Sequence, residues 1–409
     1  MTKILFWSAA ALIIYTYLLF PAVVFLRGLL LRRPYKIAEI TPSVSMIIAA
    51  HNEVRSISAK LDNILSLDYP RDQLEVIIAS DGSNDGTDAS VRGYADRGVR
   101  LLSLPRQGKA PALNAAVAAS TGAILVFSDA NSMYAPDAIR ALTRPFADPE
   151  VGGVAGNQCY LPKRAAPGTT SDGEHSYWNF DRKLKQSQSQ AGNAISATGA
   201  IYSIRRALFQ GVPPGVTDDF ATSTNVIAQG YRLVFAPDAI AYEPAAETSG
   251  VEFGRKTRVI TRGLRGVLVR RELLNPFRYG FYALQLFSHK VLRRMVVFPL
   301  ILLFVVSPLL WPYGPLYQLA TLMQIAFYGC GLLGWLLGGT RFGRLKIFTI
   351  PFFFCMVNAA SLVATLNMLR GHRIELWEPQ RQESSAAAPG DGAQPAASAA
   401  VESGQVVSN

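Results

Sequence analysis

Three groups of side chains in this sequence have the types and spacing to act on a substrate. Asp129 and Asn131 stand one residue apart in FSDANS at 127–132. A carboxylate and an amide oxygen so spaced can face one hard cation, Mg²⁺ or Mn²⁺, whose other ligands would be phosphate oxygens. VTDDF at 216–220 sets Thr217, Asp218 and Asp219 before a helical pattern, where a carboxylate is a candidate general base for deprotonating a hydroxyl. Lys109, in RQGKAPALN at 106–114, precedes another helix and is suited to a phosphate or a nucleotide. Two more acids, Glu53 in His51-Asn52-Glu53 and Asp81 in Asp81-Gly82-Ser83, follow apolar runs. Capping of the next helix is the competing role for such acids, and the stronger one for Asp85 and Asp88.

These residues need a scaffold that gathers them, and the apolar runs supply it. SVSMIIAA at 43–50, LEVIIAS at 74–80 and AILVFSD at 123–129 read as buried strands, with helical patterns at 53–67 and 110–119 between them. Strands alternating with helices predict an α/β fold, a parallel sheet covered on both faces. Ligands bind such sheets beyond the C-terminal strand ends, where Asp81 and Asp129 are expected on neighbouring strands. No GxGxxG or Walker loop follows these strands, so dinucleotide and P-loop chemistry lose their main support.

The 409 residues carry a net charge of +11, unevenly. Residues 1–39 hold +4 and 252–294 hold +9, whereas 40–251 hold −3 and 295–409 hold +1. The acidic middle has no basic-aromatic interleaving, which argues against nucleic acid as a partner. Charged residues are 17% of the chain against 50% hydrophobic, with three cysteines, so neither a mostly disordered chain nor a disulfide scaffold fits.

Each basic belt adjoins apolar sequence. The 23 uncharged residues of 4–26 predict an uncleaved anchor over 1–27, its C-terminal side cytoplasmic because Arg27, Arg32, Arg33 and Lys36 follow. The 46 uncharged residues of 295–340, broken near Trp311-Pro312-Tyr313-Gly314-Pro315, and the 23 of 347–369 predict three more spans over 295–370. Three spans conflict with the basic Arg370, His372 and Arg373, unless the positive-inside rule is weak there or one stretch lies in the interface or re-enters. No charge lies within a span, which disfavours a transporter. Arginines 255, 258, 262 and 265 with Ile260, Leu264, Val267 and Leu268 make 252–294 a basic, interfacial region attracted to anionic lipid. The Ala-, Ser-, Gly- and Pro-rich end, 382–409, reads as a disordered tail.

The motifs together resemble the membrane-integrated family 2 glycosyltransferases of GT-A fold, the group of cellulose, chitin, hyaluronan and poly-N-acetylglucosamine synthases. IIAAHNE, ASDGSNDGT, GKAPALN, FSDANS, SATGAIYSIRRALF, TDDF and QGYRLVFAPDAIAYEP occur in the family's order between about 43 and 265. The resemblance implies a Rossmann-like nucleotide-sugar domain over 40–251. In it Ala49, His51 and Glu53 would line the uridine pocket and Asp81 would meet the base. Asp129 and Asn131 would hold a metal on the donor diphosphate. Asp219 would be the general base of an inverting transfer from a UDP-sugar, with Asp218 in place of glutamate. Arg255 and Arg258 would lie near the diphosphate.

Two departures stand out. Asn131 replaces the second acid of D-x-D, and where Q-x-x-R-W belongs the chain reads Arg-Lys-Thr-Arg-Val at 255–259. The resemblance implies a multi-pass enzyme of a bacterial inner membrane, acting at the cytoplasmic face on a polysaccharide or glycolipid acceptor, with export-complex subunits as further partners. Single transfer to a lipid such as a polyprenyl phosphate or ceramide is the alternative, followed by a catalytically silent scaffold. Lys109, Asp81, Asp129 and Asp219 together argue against the scaffold.

Overall fold

A computed structural model describes residues 1–161, 171–244 and 249–371; His372, Arg373 and the expected tail at 382–409 lie outside them. Eight strands form one mixed sheet: β1 Val44–Ala50, β2 Leu74–Asp81, β3 Val99–Leu104, β4 Ile124–Asp129, β5 Met133–Tyr134, β6 Val151–Leu161, β7 Tyr202–Arg205 and β8 Arg232–Pro244. Their order is β3-β2-β1-β4-β7-β6-β8-β5. The first four pair in parallel, as the alternation of strands and helices predicts. β7 breaks the pattern, running antiparallel to both β4 and β6.

The strands are apolar throughout because both faces are covered. Met46, Ile48, Val76, Ile78 and Val126 pack with Ile57, Leu61 and Ile64 on one side. The alternate residues Ile47, Ile77, Leu125 and Phe127 pack with Leu113, Ala116 and Val226 on the other. Truncating one of these, as in Leu61→Ala, should cost ~2–5 kcal/mol. Register then fixes the site. Ala49 lies opposite Ala79 of β2 and Asp129 of β4, so β1 separates the ends carrying Asp81 and Asp129. The two acids are one strand apart rather than on neighbouring strands.

The helices are α1 Thr2–Leu30, α2 Ile57–Leu65, α3 Thr87–Arg92, α4 Lys109–Ala118, α5 Ala138–Thr143, α6 Ser171–Gln190, α7 Asp218–Ala228 and α8 Ser249–Val269. They continue as α9 Phe281–Met295, α10 Val297–Leu309, α11 Pro315–Leu336 and α12 Lys346–Leu369. Helices α1, α11 and α12 are long and apolar enough to cross a membrane. Helix α10 has 13 residues, ~20 Å at 1.5 Å per residue, less than the ~30 Å of a hydrocarbon core. It reaches spanning length only with α9, from which it is bent by 48°, as a broken span or a re-entrant loop. The stretch expected to hold two spans therefore holds one full-length helix and a short one.

Helix α1 does not stop at the membrane segment. Its Phe20 and Val24 pack on Leu184 of α6. A Cβ added at Gly28 would lie 2.8 Å from both the Cβ and the carbonyl oxygen of Ser187, so glycine is what lets the backbones meet. Helix α8 also departs from expectation. Its Ile260 and Leu264 are covered by Ala360 and Ala364 of α12, and Val267 joins the sheet's core. Protein covers these three residues, while Leu268 of the same expected face stays exposed with Val259 and Val269.

Candidate active site

The site opens at the C-terminal ends of β1, β2 and β4. At the end of β4 the Asp129 side chain is 31% exposed, and Asn131 is exposed two residues on. Asp129 Oδ1 accepts a 2.7 Å bond from Lys109 Nζ, which also lies 3.1 Å from Asp218 Oδ1. Burial opposes the charge on Lys109, but the two carboxylates outweigh it and hold its pKa above the ordinary range. Asp129 Oδ2 faces Gly199, where an added Cβ would stand 3.1 Å away. A hard divalent cation fits this donor set: one carboxylate, one amide and a cradle without a side chain. Among the described residues no three His, Cys, Asp or Glu side chains gather to hold a metal, so most ligands would come from phosphate and water, as is usual for Mg²⁺.

The loops after β1 and β2 are stitched together. His51 Nδ1 donates to the Asp81 carbonyl at 2.8 Å. The Asn52 amide donates to Ser83 Oγ, and the Asn84 amide donates to Asn52 Oδ1. Asn52 takes φ +55°, a left-handed conformation that asparagine tolerates. The Glu53 amide donates to Thr87 Oγ1, and burial raises the Glu53 carboxyl pKa against a bond from Ser56. Ala49 packs in the core and offers the pocket only backbone. The carboxylate of Asp81 is 1% exposed and engaged: the Gln107 and Gly108 amides donate to it at 2.7 and 3.0 Å, and Arg106 forms an ion pair with it. In this geometry Asp81 grips the loop that presents Lys109.

Asp218 and Asp219 open α7. Asp218 is tied to Lys109, whereas Asp219 is half-buried beside it. Burial and the Asp218 charge both raise the Asp219 pKa, partly offset by Lys290 and Lys109. Sequence reasoning assigned no role at the acids to several groups here. Arg262 of α8 donates to the Val216 carbonyl at 2.6 Å, and the Arg265 guanidinium lies against Gly215, so α8 pins the loop before the acids. The Tyr202 phenol is buried, its pKa raised by burial and by both acids.

Two more buried groups lie around Asp129. Lys60 donates 2.8 Å to Ser128 Oγ and to the Ser132 carbonyl, bracing the turn that carries Asp129 and Asn131; burial lowers its pKa to about 7. Glu243 of β8 accepts from Ser132 and Gln158, with its pKa raised by burial and by Asp129. Arg255 pairs with Glu252 and donates to the Tyr160 hydroxyl, and Arg258 is half-buried on the same helix. The structure thus brings Lys109, Asp129 and Asp218 into direct contact, with Asp219 alongside, while Arg255 is engaged with Glu252 and Tyr160.

Residues 45–212 match the profile of Glycosyl transferase family 2. An N-acetylglucosaminyltransferase of Rhizobium sp. (strain N33) is 28% identical over 255 residues, 58% of this chain and 56% of that protein. A poly-beta-1,6-N-acetyl-D-glucosamine synthase of Staphylococcus epidermidis is 26% identical over 241 residues, 57% of each chain. The chain thus spans little more than half the length of these relatives. Among solved structures, a mannosyltransferase of Pyrobaculum calidifontis, in complex with GDP-Man and Mn²⁺, superposes with a TM-score of 0.67. That match has 24% identity and covers 91% of this chain and 100% of the other, which establishes a shared fold.

Proposed function

We propose that this chain, whose residues 45–212 match Glycosyl transferase family 2, transfers a sugar from a UDP-sugar to a polysaccharide or glycolipid acceptor, inverting the anomeric carbon. The observation that carries the reading is the Lys109 ammonium, 2.7 Å from Asp129 and 3.1 Å from Asp218. The donor end and the acceptor end of one reaction meet at that cation.

In the transfer, an acceptor oxygen bonds to the anomeric carbon as the bond from that carbon to the diphosphate breaks. The electron pair leaves with UDP and the acceptor proton passes to Asp219. A carboxyl whose pKa is raised by burial and by Asp218 holds that proton more strongly than an exposed one, which suits a base. Lys109 holds Asp218 in place; Arg262 and Arg265 hold the loop before both acids. His51, Glu53 and the Ala49 backbone line the nucleotide side, Asp81 fixes the loop before Lys109, and Arg255 and Arg258 flank the pocket on α8. Asp129 and Asn131 would hold Mg²⁺ or Mn²⁺, a Lewis acid that stabilises charge on a departing diphosphate.

The names of the relatives support an N-acetylglucosaminyl donor and polysaccharide synthesis. The charges of +4 and +9 beside the apolar helices support a cytoplasmic site at a bacterial inner membrane. Arg255 lies in the stretch that replaces Q-x-x-R-W and is bound to Glu252; this favours single transfer, to a lipid-linked acceptor, as the second reading. The deciding experiment incubates membranes containing the chain with labelled UDP-sugars and GDP-mannose and sizes the products. Polymer supports the first reading, a single added sugar on lipid the second, and no labelled product from any donor overturns both.

A further inference from the structure

The middle of α9 is a π-helical turn, Phe287–Leu292. Such turns re-aim side chains and recur at functional sites. Here three successive polar residues reach three different elements. Ser288 Oγ lies 2.9 Å from the Tyr15 hydroxyl of α1. His289 lies 3.4 Å from Asp181 and 3.2 Å from Gln188, both of α6. Lys290 reaches α7, its ammonium 5.8 Å from the ring centre of Phe220, the residue after Asp219.

The groups facing Asp219 come from five elements: Asp218 on α7 itself, Lys109 from α4, Arg262 from α8, Tyr202 from β7 and Lys290 from α9. Two of the three cations are committed elsewhere. Lys109 pairs directly with Asp129 and Asp218, and Arg262 donates to the Val216 carbonyl. Lys290 forms no direct ion pair among the described residues; burial, with Arg294 on its own helix and Lys185 of α6, lowers its pKa to about 8 against the pull of Asp181 and Asp219, so it is a cation below that pH.

Resting on the transfer reading, we propose that Lys290 is a positioning residue of the reaction: a cation that the membrane-proximal helix supplies to hold Asp219 as the acceptor-facing carboxylate. A positive charge near a carboxylate favours its ionised form and lowers its pKa. The π turn thereby links the base to α1 through Ser288 and to α6 through His289.

The test compares the full-length wild type with Lys290→Met, Lys290→Gln and Lys290→Arg, using the donor and acceptor that the wild type turns over. kcat/KM is followed against pH, with thermal unfolding and UDP binding as folding controls. In the two neutral variants the acid limb is expected to move up by ~1 pH unit, and Lys290→Arg restores it. Because the base must be unprotonated, the neutral variants lose ~10-fold below the midpoint and little well above it. An unmoved midpoint, with or without a uniform fall in rate, overturns the inference. A higher acceptor KM at every pH with a fixed midpoint also overturns it, and assigns Lys290 to an anion on the acceptor. Should the neutral variants fail to fold, a shifted midpoint in Lys290→Arg likewise counts against the inference. A wild type inactive with every sugar nucleotide fails the transfer reading; an active one with unmoved midpoints fails this inference alone.

Discussion

Lys109 and Asp129, twenty residues apart, close a 2.7 Å ion pair at the mouth of the sheet, and the same ammonium reaches Asp218 at 3.1 Å. Lys109→Met leaves two carboxylates facing each other with no cation between them. Removing one partner of a largely buried pair costs ~3–5 kcal/mol. A lower Tm is expected together with a fall in turnover of at least ~100-fold, measured on the same preparation. Wild-type turnover in Lys109→Met would remove Lys109 from the chemistry.

Asp219→Asn keeps the shape of the side chain and removes its basicity. Transfer should fall ~10²–10⁴-fold while UDP binding survives. In the wild type, the raised Asp219 pKa places the acid limb of kcat/KM above the ordinary carboxylate range. Activity rises with pH as the base loses its proton, and is lost as pH falls through that raised value. A limb at the pKa of an exposed aspartate would contradict the burial argument.

Metal dependence tests Asp129 and Asn131. Chelation with EDTA should stop transfer, and added Mg²⁺ or Mn²⁺ should restore it. Asn131→Asp adds a second carboxylate, so half-saturation should need less metal, by ~10-fold if one charge is worth ~1.4 kcal/mol. Titration of the two proteins with Mn²⁺, read by isothermal calorimetry in the presence of UDP, checks this independently of turnover. Metal-independent transfer would discard the site.

Asp81→Asn tests a structural grip. Both oxygens of Asp81 accept from the 106–108 loop, and an amide can accept at only one end. Leaving a buried donor unmatched costs ~1–3 kcal/mol. The expected phenotype is a lower Tm with faster amide exchange at Gln107 and Gly108, and weaker donor binding because Lys109 follows directly. Weak donor binding with unchanged Tm and unchanged exchange would return Asp81 to a direct role on the base.

Local sequence carried much of this site. Asp129 and Asn131, Lys109, and the Asp218-Asp219 pair each sit at the end of an apolar run or the start of a helical one, so spacing alone located them. Contacts across long sequence distances were not readable. Lys60 meets Ser128 and Ser132, about seventy residues away, and Glu243 meets Ser132 across 111; neither has a local pattern beyond being a charge within an apolar context. Asp81 was identifiable as a strand-end acid, yet what it grips depends on how the 106–108 loop folds back. The basic character of 252–294 was evident from composition, but the cover of Ile260 and Leu264 by α12 is a tertiary fact. Lys290 read as one base of a belt until the π turn set it beside α7.

Gly28 carries the last consequence. Because it lets α1 press against the backbone at Ser187, the first apolar helix ends inside the domain instead of leading to a slack tether. Packing, not the length of a connecting segment, then determines how far the pocket stands from that helix. Lengthening the stretch after Leu31 would not extend the enzyme's reach. Breaking the contact with Gly28→Leu would: the distance from pocket to helix would then vary instead of being set by packing.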